Sequence, residues 1–62
     1  MSYQAGNRVV CEATSIQRSS GAAWRGDRGT VTAVNQGDQR VTVRWDNGAE
    51  TDSVPWSEVR RA

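Results

Sequence analysis

Apolar and polar positions alternate most cleanly along Arg40-Val41-Thr42-Val43-Arg44-Trp45. A strand points successive side chains to opposite faces. Val41, Val43 and Trp45 therefore share an apolar face, and Arg40, Thr42 and Arg44 share a polar one. Asp46-Asn47-Gly48 follows as the turn, with Gly48 free to take positive φ. A two-residue loop would set Val43 opposite Asp52 and Trp45 opposite Glu50. A three-residue loop sets Val43 opposite Thr51, Trp45 opposite Ala49 and Arg44 opposite Glu50. The second register keeps bases beside acids on the outer face, and a one-residue slip would invert both faces. The pattern thus predicts a three-residue hairpin loop and an Arg44–Glu50 cross-strand pair.

Weaker copies of the pattern predict the other elements. Arg8 to Ala13 reads as the first strand, with Val9, Cys11 and Ala13 on one face. Val10 breaks the alternation and implies that the other face is partly covered. Gly29 to Val34 is the second strand, Asn35 to Gln39 a polar hairpin connection, and Ala49 to Val54 the fourth strand. Val54-Pro55-Trp56-Ser57-Glu58-Val59 predicts one tight helical turn, with Pro55 at its first position and Glu58 near its positive end. Val59-Arg60-Arg61 then makes a short fifth strand. Residues 1–6 read as a loose start with little to anchor it beyond Tyr3. Thr14 to Asp27 reads as an irregular loop, with loop chemistry at Ser19-Ser20-Gly21 and a turn at Gly26-Asp27-Arg28-Gly29. Long loops often carry function. This one holds Arg18, Trp24, Arg25 and Arg28.

The 62 residues bound the picture further. They make one domain, 1–62, near the lower size limit for independent folding. The large apolar side chains are chiefly eight valines and three tryptophans, with no Leu or Phe. Such a composition favours strands. A core this small leaves stability marginal or leaning on self-association. No apolar run is long enough to span a membrane, and no signal-peptide pattern opens the chain, so a cytoplasmic location is expected. Cys11 is the only cysteine and there is no His, so neither an internal disulfide nor a thiolate- or imidazole-rich metal site is expected. The net charge of +1 argues against a strong nonspecific nucleic-acid binder.

Five short strands, a long early loop and one 3-10 turn before the last strand describe an all-β, small five-stranded SH3-like barrel. The motifs agree. Gly29-Thr30-Val31-x-x-Val34, followed by Val41-x-Val43-x-Trp45-Asp46-Asn47-Gly48, resembles the Gly-Thr-Val…Val-x-Trp-Asp-Asn-Gly pattern of SH3-like modules, KOW-type domains among them. The likeness covers the middle of the chain and implies the fold rather than one function. A second stretch, Ser20-Gly21-Ala22-Ala23-Trp24-x-Gly26, is similar to one in the plasmid-borne type II (trimethoprim-resistant) dihydrofolate reductases. These are also SH3-like barrels, assembled as homotetramers around a central pore. That resemblance places Arg18 where the family has a substrate-steering Lys, and it implies NADPH as cofactor. The family's Ser-Val-Gln-Ile-Tyr-Pro segment is here Ser53-Val54-Pro55, without the pore-lining Gln-Ile-Tyr.

Among candidate chemistries, binding outweighs catalysis. Ser19, Ser20, Ser53 and Ser57 have no His to activate them. Asp27, Asp38, Asp46 and Asp52 fit turn and hairpin positions. Cys11 reads as a buried strand residue and Trp45 as core. Trp24 is either a surface anchor for a partner or a lid over one end of the barrel. Trp56 is expected to pack on the barrel end. The expected binding surface is Arg18, Trp24, Arg25, Arg28, Trp56 and Arg60, because Trp and Arg are enriched at interface hot spots. The expected function is a non-catalytic binding module with no cofactor. Its partner is expected to be a protein or a second copy, with nucleic acid the weaker option. The alternative is a homotetrameric NADPH-dependent reductase of the type II kind.

Overall fold

The computed structural model describes residues 2–62 and is all-β, with seven strands and one turn of 3-10 helix. The strands are β1 (Arg8–Cys11), β2 (Ser15–Arg18), β3 (Gly21–Trp24), β4 (Arg28–Asn35), β5 (Arg40–Trp45), β6 (Glu50–Pro55) and β7 (Val59–Arg61). The 3-10 turn, Trp56–Glu58, lies between β6 and β7. Five strands form one antiparallel sheet in the order β6-β5-β4-β1-β7, and β2 and β3 form a separate hairpin.

The predicted β5–β6 register holds. Val43 stands opposite Thr51 and Arg44 opposite Glu50. Across the loop, the Trp45 amide donates to the Ala49 carbonyl at 2.7 Å, and the Gly48 amide donates to the Trp45 carbonyl at 2.9 Å. Gly48 sits at φ +95°, where a side chain is disfavoured. The expected Arg44–Glu50 ion pair does not accompany the register. The two ion pairs among the described residues are Arg8–Asp46 and Arg60–Glu12. Pro55 closes β6 and precedes the 3-10 turn, which starts at Trp56 rather than at the proline.

The expected five strands become seven because the 14–27 segment is not a loop. Ser15–Arg18 and Gly21–Trp24 pair residue for residue, joined by a two-residue turn at Ser19-Ser20. Ile16 and Ala23 face each other and are both buried. One buried apolar residue per strand is too sparse a pattern to mark a strand by alternation alone. The hairpin docks on β6 and on the β5–β6 turn. Arg18 donates to the carbonyls of Asp52 (2.9 Å) and Ser53 (3.1 Å), Ser20 Oγ donates to the Glu50 carbonyl, and Asn47 Nδ2 donates to the Ala22 carbonyl at 3.2 Å. Gly21 is required here, because a Cβ on it would lie 2.6 Å from that of Ala49.

One core serves both sheets. It contains Tyr3, Val9, Cys11, Ile16, Ala23, Val31, Val41, Val43, Trp45, Val54 and Val59. Trp45 is its largest side chain, and its indole N–H donates to Thr51 Oγ1 at 2.8 Å, which satisfies both buried polar groups. The start of the chain is tied in by Tyr3. Its ring is buried, meets Trp56 edge-on at 5.6 Å and lies under the Arg61 guanidinium at 5.2 Å. No described helix is long and apolar enough to cross a membrane.

Candidate functional site

β3 alternates inward Ala23 with outward Trp24, so the hairpin that buries Ala23 must expose its neighbour. Trp24 is 54% exposed and is the one large apolar side chain left in solvent among the described residues. Its backbone is held firmly. The Trp24 amide donates to Asp27 Oδ2 at 2.9 Å, the Asp27 amide returns a bond of the same length to the Trp24 carbonyl, and the Arg25 amide donates to the Thr14 carbonyl at 3.3 Å. Of the two roles open to Trp24 in the sequence, the surface position is the observed one.

Arg25 and Arg60 line a cleft of about 410 Å³ together with Val10, Cys11, Glu12 and Gly26. Glu12 joins the two arginines. Its carbonyl accepts from Arg25 Nε at 3.2 Å, and its carboxylate pairs with Arg60 Nε at 3.4 Å. The cleft thus carries two guanidiniums and one carboxylate, which is paired with Arg60, and Trp24 is the residue immediately before Arg25. Arg28 is exposed in β4, opposite Val10. Four of the six expected residues, Trp24, Arg25, Arg28 and Arg60, therefore lie on or next to the segments that form the cleft.

The other two do not join them. Arg18 is committed to the Asp52 and Ser53 carbonyls and also donates to the Gln17 carbonyl at 2.8 Å. It ties the hairpin to β6. Trp56 is half-buried against Tyr3, and its indole N–H is buried without an acceptor among the described residues. It belongs to the packing under the N-terminal segment.

Cys11 lies at the cleft but is buried, and its thiol donates to the Ala13 carbonyl at 3.4 Å. Burial pushes the thiol pKa up, which disfavours the nucleophilic thiolate. The described residues include no cluster of three or more Cys, Asp or Glu arranged to hold a metal ion.

Two residues of consequence escaped the sequence pattern. Arg8 grips Asp46 with both terminal nitrogens, at 2.9 and 2.7 Å, and also donates to Thr30 Oγ1 at 2.9 Å. Hydrogen bonding from Arg8 holds the Asp46 carboxyl below its ordinary value. Asp46 is thus more than a turn residue. Arg8 and Asp46 are 38 positions apart in the chain, and only the β1–β4–β5 registers bring them together.

Comparison of the chain with protein-family models, with curated proteins and with solved structures found no match.

Proposed function

We propose that this chain is an SH3-like barrel that works as a non-catalytic binding module and associates with a second copy of itself through Trp24. Three features support the barrel reading. The strand order is β6-β5-β4-β1-β7, β4 carries a register shift between Val31 and Ala33 that can bend the sheet over its own core, and a 3-10 turn precedes the last strand. The β2–β3 hairpin occupies the place of the long early loop.

The observation that carries the functional reading is the exposure of Trp24 on a hairpin whose backbone leaves it little freedom. With its backbone already tied, an exposed indole has only its two side-chain torsions to lose on docking, and it removes a large apolar area from solvent. Arg25 beside it offers polar contacts at the rim. A second copy is the favoured occupant for two reasons. The core is small, and the net charge of +1 opposes self-contact only weakly. The stretch that resembles the type II reductases, Ser20 to Gly26, is also the one that carries Trp24, and those proteins are homotetramers.

The reductase alternative is less well supported. It needs a free cation at Arg18 to steer substrate, and here the Arg18 guanidinium caps β6 carbonyls.

Light scattering across a range of concentrations tests the proposal. The chain should weigh more than a monomer at high concentration, and Trp24→Ala should remain a folded monomer throughout. A chain that is monomeric at every concentration overturns the self-association reading.

A further inference from the structure

The sheet registers gather arginines that are scattered in the sequence. In β1, Val9 and Cys11 point into the core, so Arg8 and Val10 point to the outer face. Arg8 stands opposite Thr30, Thr30 opposite Arg44, and Arg44 opposite Glu50. In the adjoining row Val10 stands opposite Arg28 on one side and Arg60 on the other. The outer face of β5-β4-β1-β7 thus carries Arg8, Arg28, Arg44 and Arg60 in these two rows, around Val10 and Thr30, with Arg40 on the same face at the far end of β5, all five arginines exposed. Val10 is only 5% exposed although it points away from the core. It lines the cleft with Arg25 and Arg60, whose apolar stems can lie over it while the guanidiniums stay in water.

The charges on this face are unevenly paired. Asp46 is held by Arg8 and Glu12 by Arg60, while Arg28 and Arg44 take part in neither ion pair. Counting Asp46, Glu12 and Glu50 at the margins, these two rows have four arginines against three acids. Arg40 on the same face and Arg25 in the cleft beside Val10 and Arg60 add to that positive excess. No aromatic side chain belongs to these rows.

We propose that this face binds a nucleic-acid duplex through its phosphates, with Arg28 and Arg44 as the two free contacts. Arginine suits the role because its planar fork meets phosphate oxygens two at a time. Neighbouring strands lie about 5 Å apart and alternate residues about 7 Å apart, which sets Arg28 and Arg44 about 8 Å from one another across the sheet. Long side chains at that separation can reach successive groups of one backbone. The two rows themselves carry no aromatic platform for base stacking, and the exposed Trp24 lies off them on the β2–β3 hairpin, which favours a duplex over a single strand. Two free cations give modest, sequence-independent affinity. The slope of log affinity against log salt should be about −2.

The test is fluorescence anisotropy of a labelled DNA duplex titrated with the chain, from low to physiological salt. The expected result is binding at low salt with that shallow slope. Arg28→Gln and Arg44→Gln should each lower affinity and each bring the slope closer to zero by about one unit, and Arg40→Gln, which removes the same charge at the far end of this face, beside Asp38 and Asp52, should change both less. Circular dichroism of each variant confirms that it is folded. Three results would each overturn the proposal: no binding at low salt, equal weakening by Arg40→Gln and Arg28→Gln, or tighter binding of an equal-length single strand that depends on Trp24. The proposal does not rest on self-association, because the Arg28 and Arg44 variants leave Trp24 in place.

Discussion

At the scale of single residues, Trp45 and Thr51 show how one pairing settles two problems. A core of valines needs one large side chain to fill it, and Trp45 does so at the cost of burying an indole N–H. Thr51 is the one fully buried polar residue among the described residues, and its hydroxyl accepts that N–H at 2.8 Å. Thr51→Val keeps the shape and leaves the indole without a partner, so stability should fall by about 1–3 kcal/mol. Thr51→Ser keeps the acceptor and should recover the hydrogen-bond part of that loss. Urea unfolding followed by Trp fluorescence measures both. Equal losses for Val and Ser would mean that the methyl group, rather than the hydrogen bond, carries the effect. Gly29 is a second tight point. A Cβ there would meet the Arg44 carbonyl oxygen at 2.7 Å, Val43 Cγ1 at 2.8 Å and Trp45 Cε3 at 2.9 Å. Gly29→Ala should cost roughly 1–3 kcal/mol through overpacking, read from the same urea midpoints.

At the scale of elements, the β2–β3 hairpin is attached by Ile16 and Ala23 in the shared core and by polar contacts along its rim. Arg18 caps two β6 carbonyls, and Asn47 reaches the Ala22 carbonyl. Arg18→Ala should therefore loosen the hairpin selectively. Amide exchange should quicken about tenfold or more within 15–24, matching the loss of a hydrogen bond or two, while the amides of β4 and β5 keep their protection. Uniform acceleration across both sheets would show that the hairpin does not open on its own. The Arg8–Asp46 pair is the corresponding tie between β1 and the β5–β6 turn. The folded Asp46 carboxyl titrates below its ordinary value of 3.8. Its pairing therefore contributes stability above that value and loses it as pH falls through the lower, folded value. Asp46→Asn should flatten the acid limb of stability against pH, and an unchanged limb would assign it to other carboxylates. These elements also mark how much could be read in the sequence. The β5–β6 register was legible because alternation, turn chemistry and charge pairing agree over a short span. The hairpin was hidden because Ile16 and Ala23 are the only fully buried residues of its two strands. The Arg8–Asp46 clasp was hidden because it needs registers between strands distant in the chain, and a stripe of Arg25, Arg28, Arg44, Arg60 and Arg61 could be suspected from residue type but not set in rows without those registers. Trp24 and Arg25 stood out by residue type alone, whereas Arg18 and Trp56 belonged to the same types and proved to hold the structure together.

At the scale of the whole molecule, a chain of 62 residues with a valine-rich core has little stability to spare. If Trp24 docks on a second copy, part of the stability comes from association and rises with protein concentration. A domain of this size shifts its Tm by about 4–8 °C per kcal/mol, so each tenfold increase in concentration should raise Tm by several degrees. Trp24→Ala should abolish that dependence and leave the dilute-limit Tm nearly unchanged, because an exposed side chain adds little to the folding of one copy. The two readouts separate two kinds of failure. A Tm independent of concentration in the parent chain removes the association. A Tm that falls for Trp24→Ala even at high dilution means that the indole supports its own hairpin, and its exposure would then reflect packing within one copy rather than a contact between two.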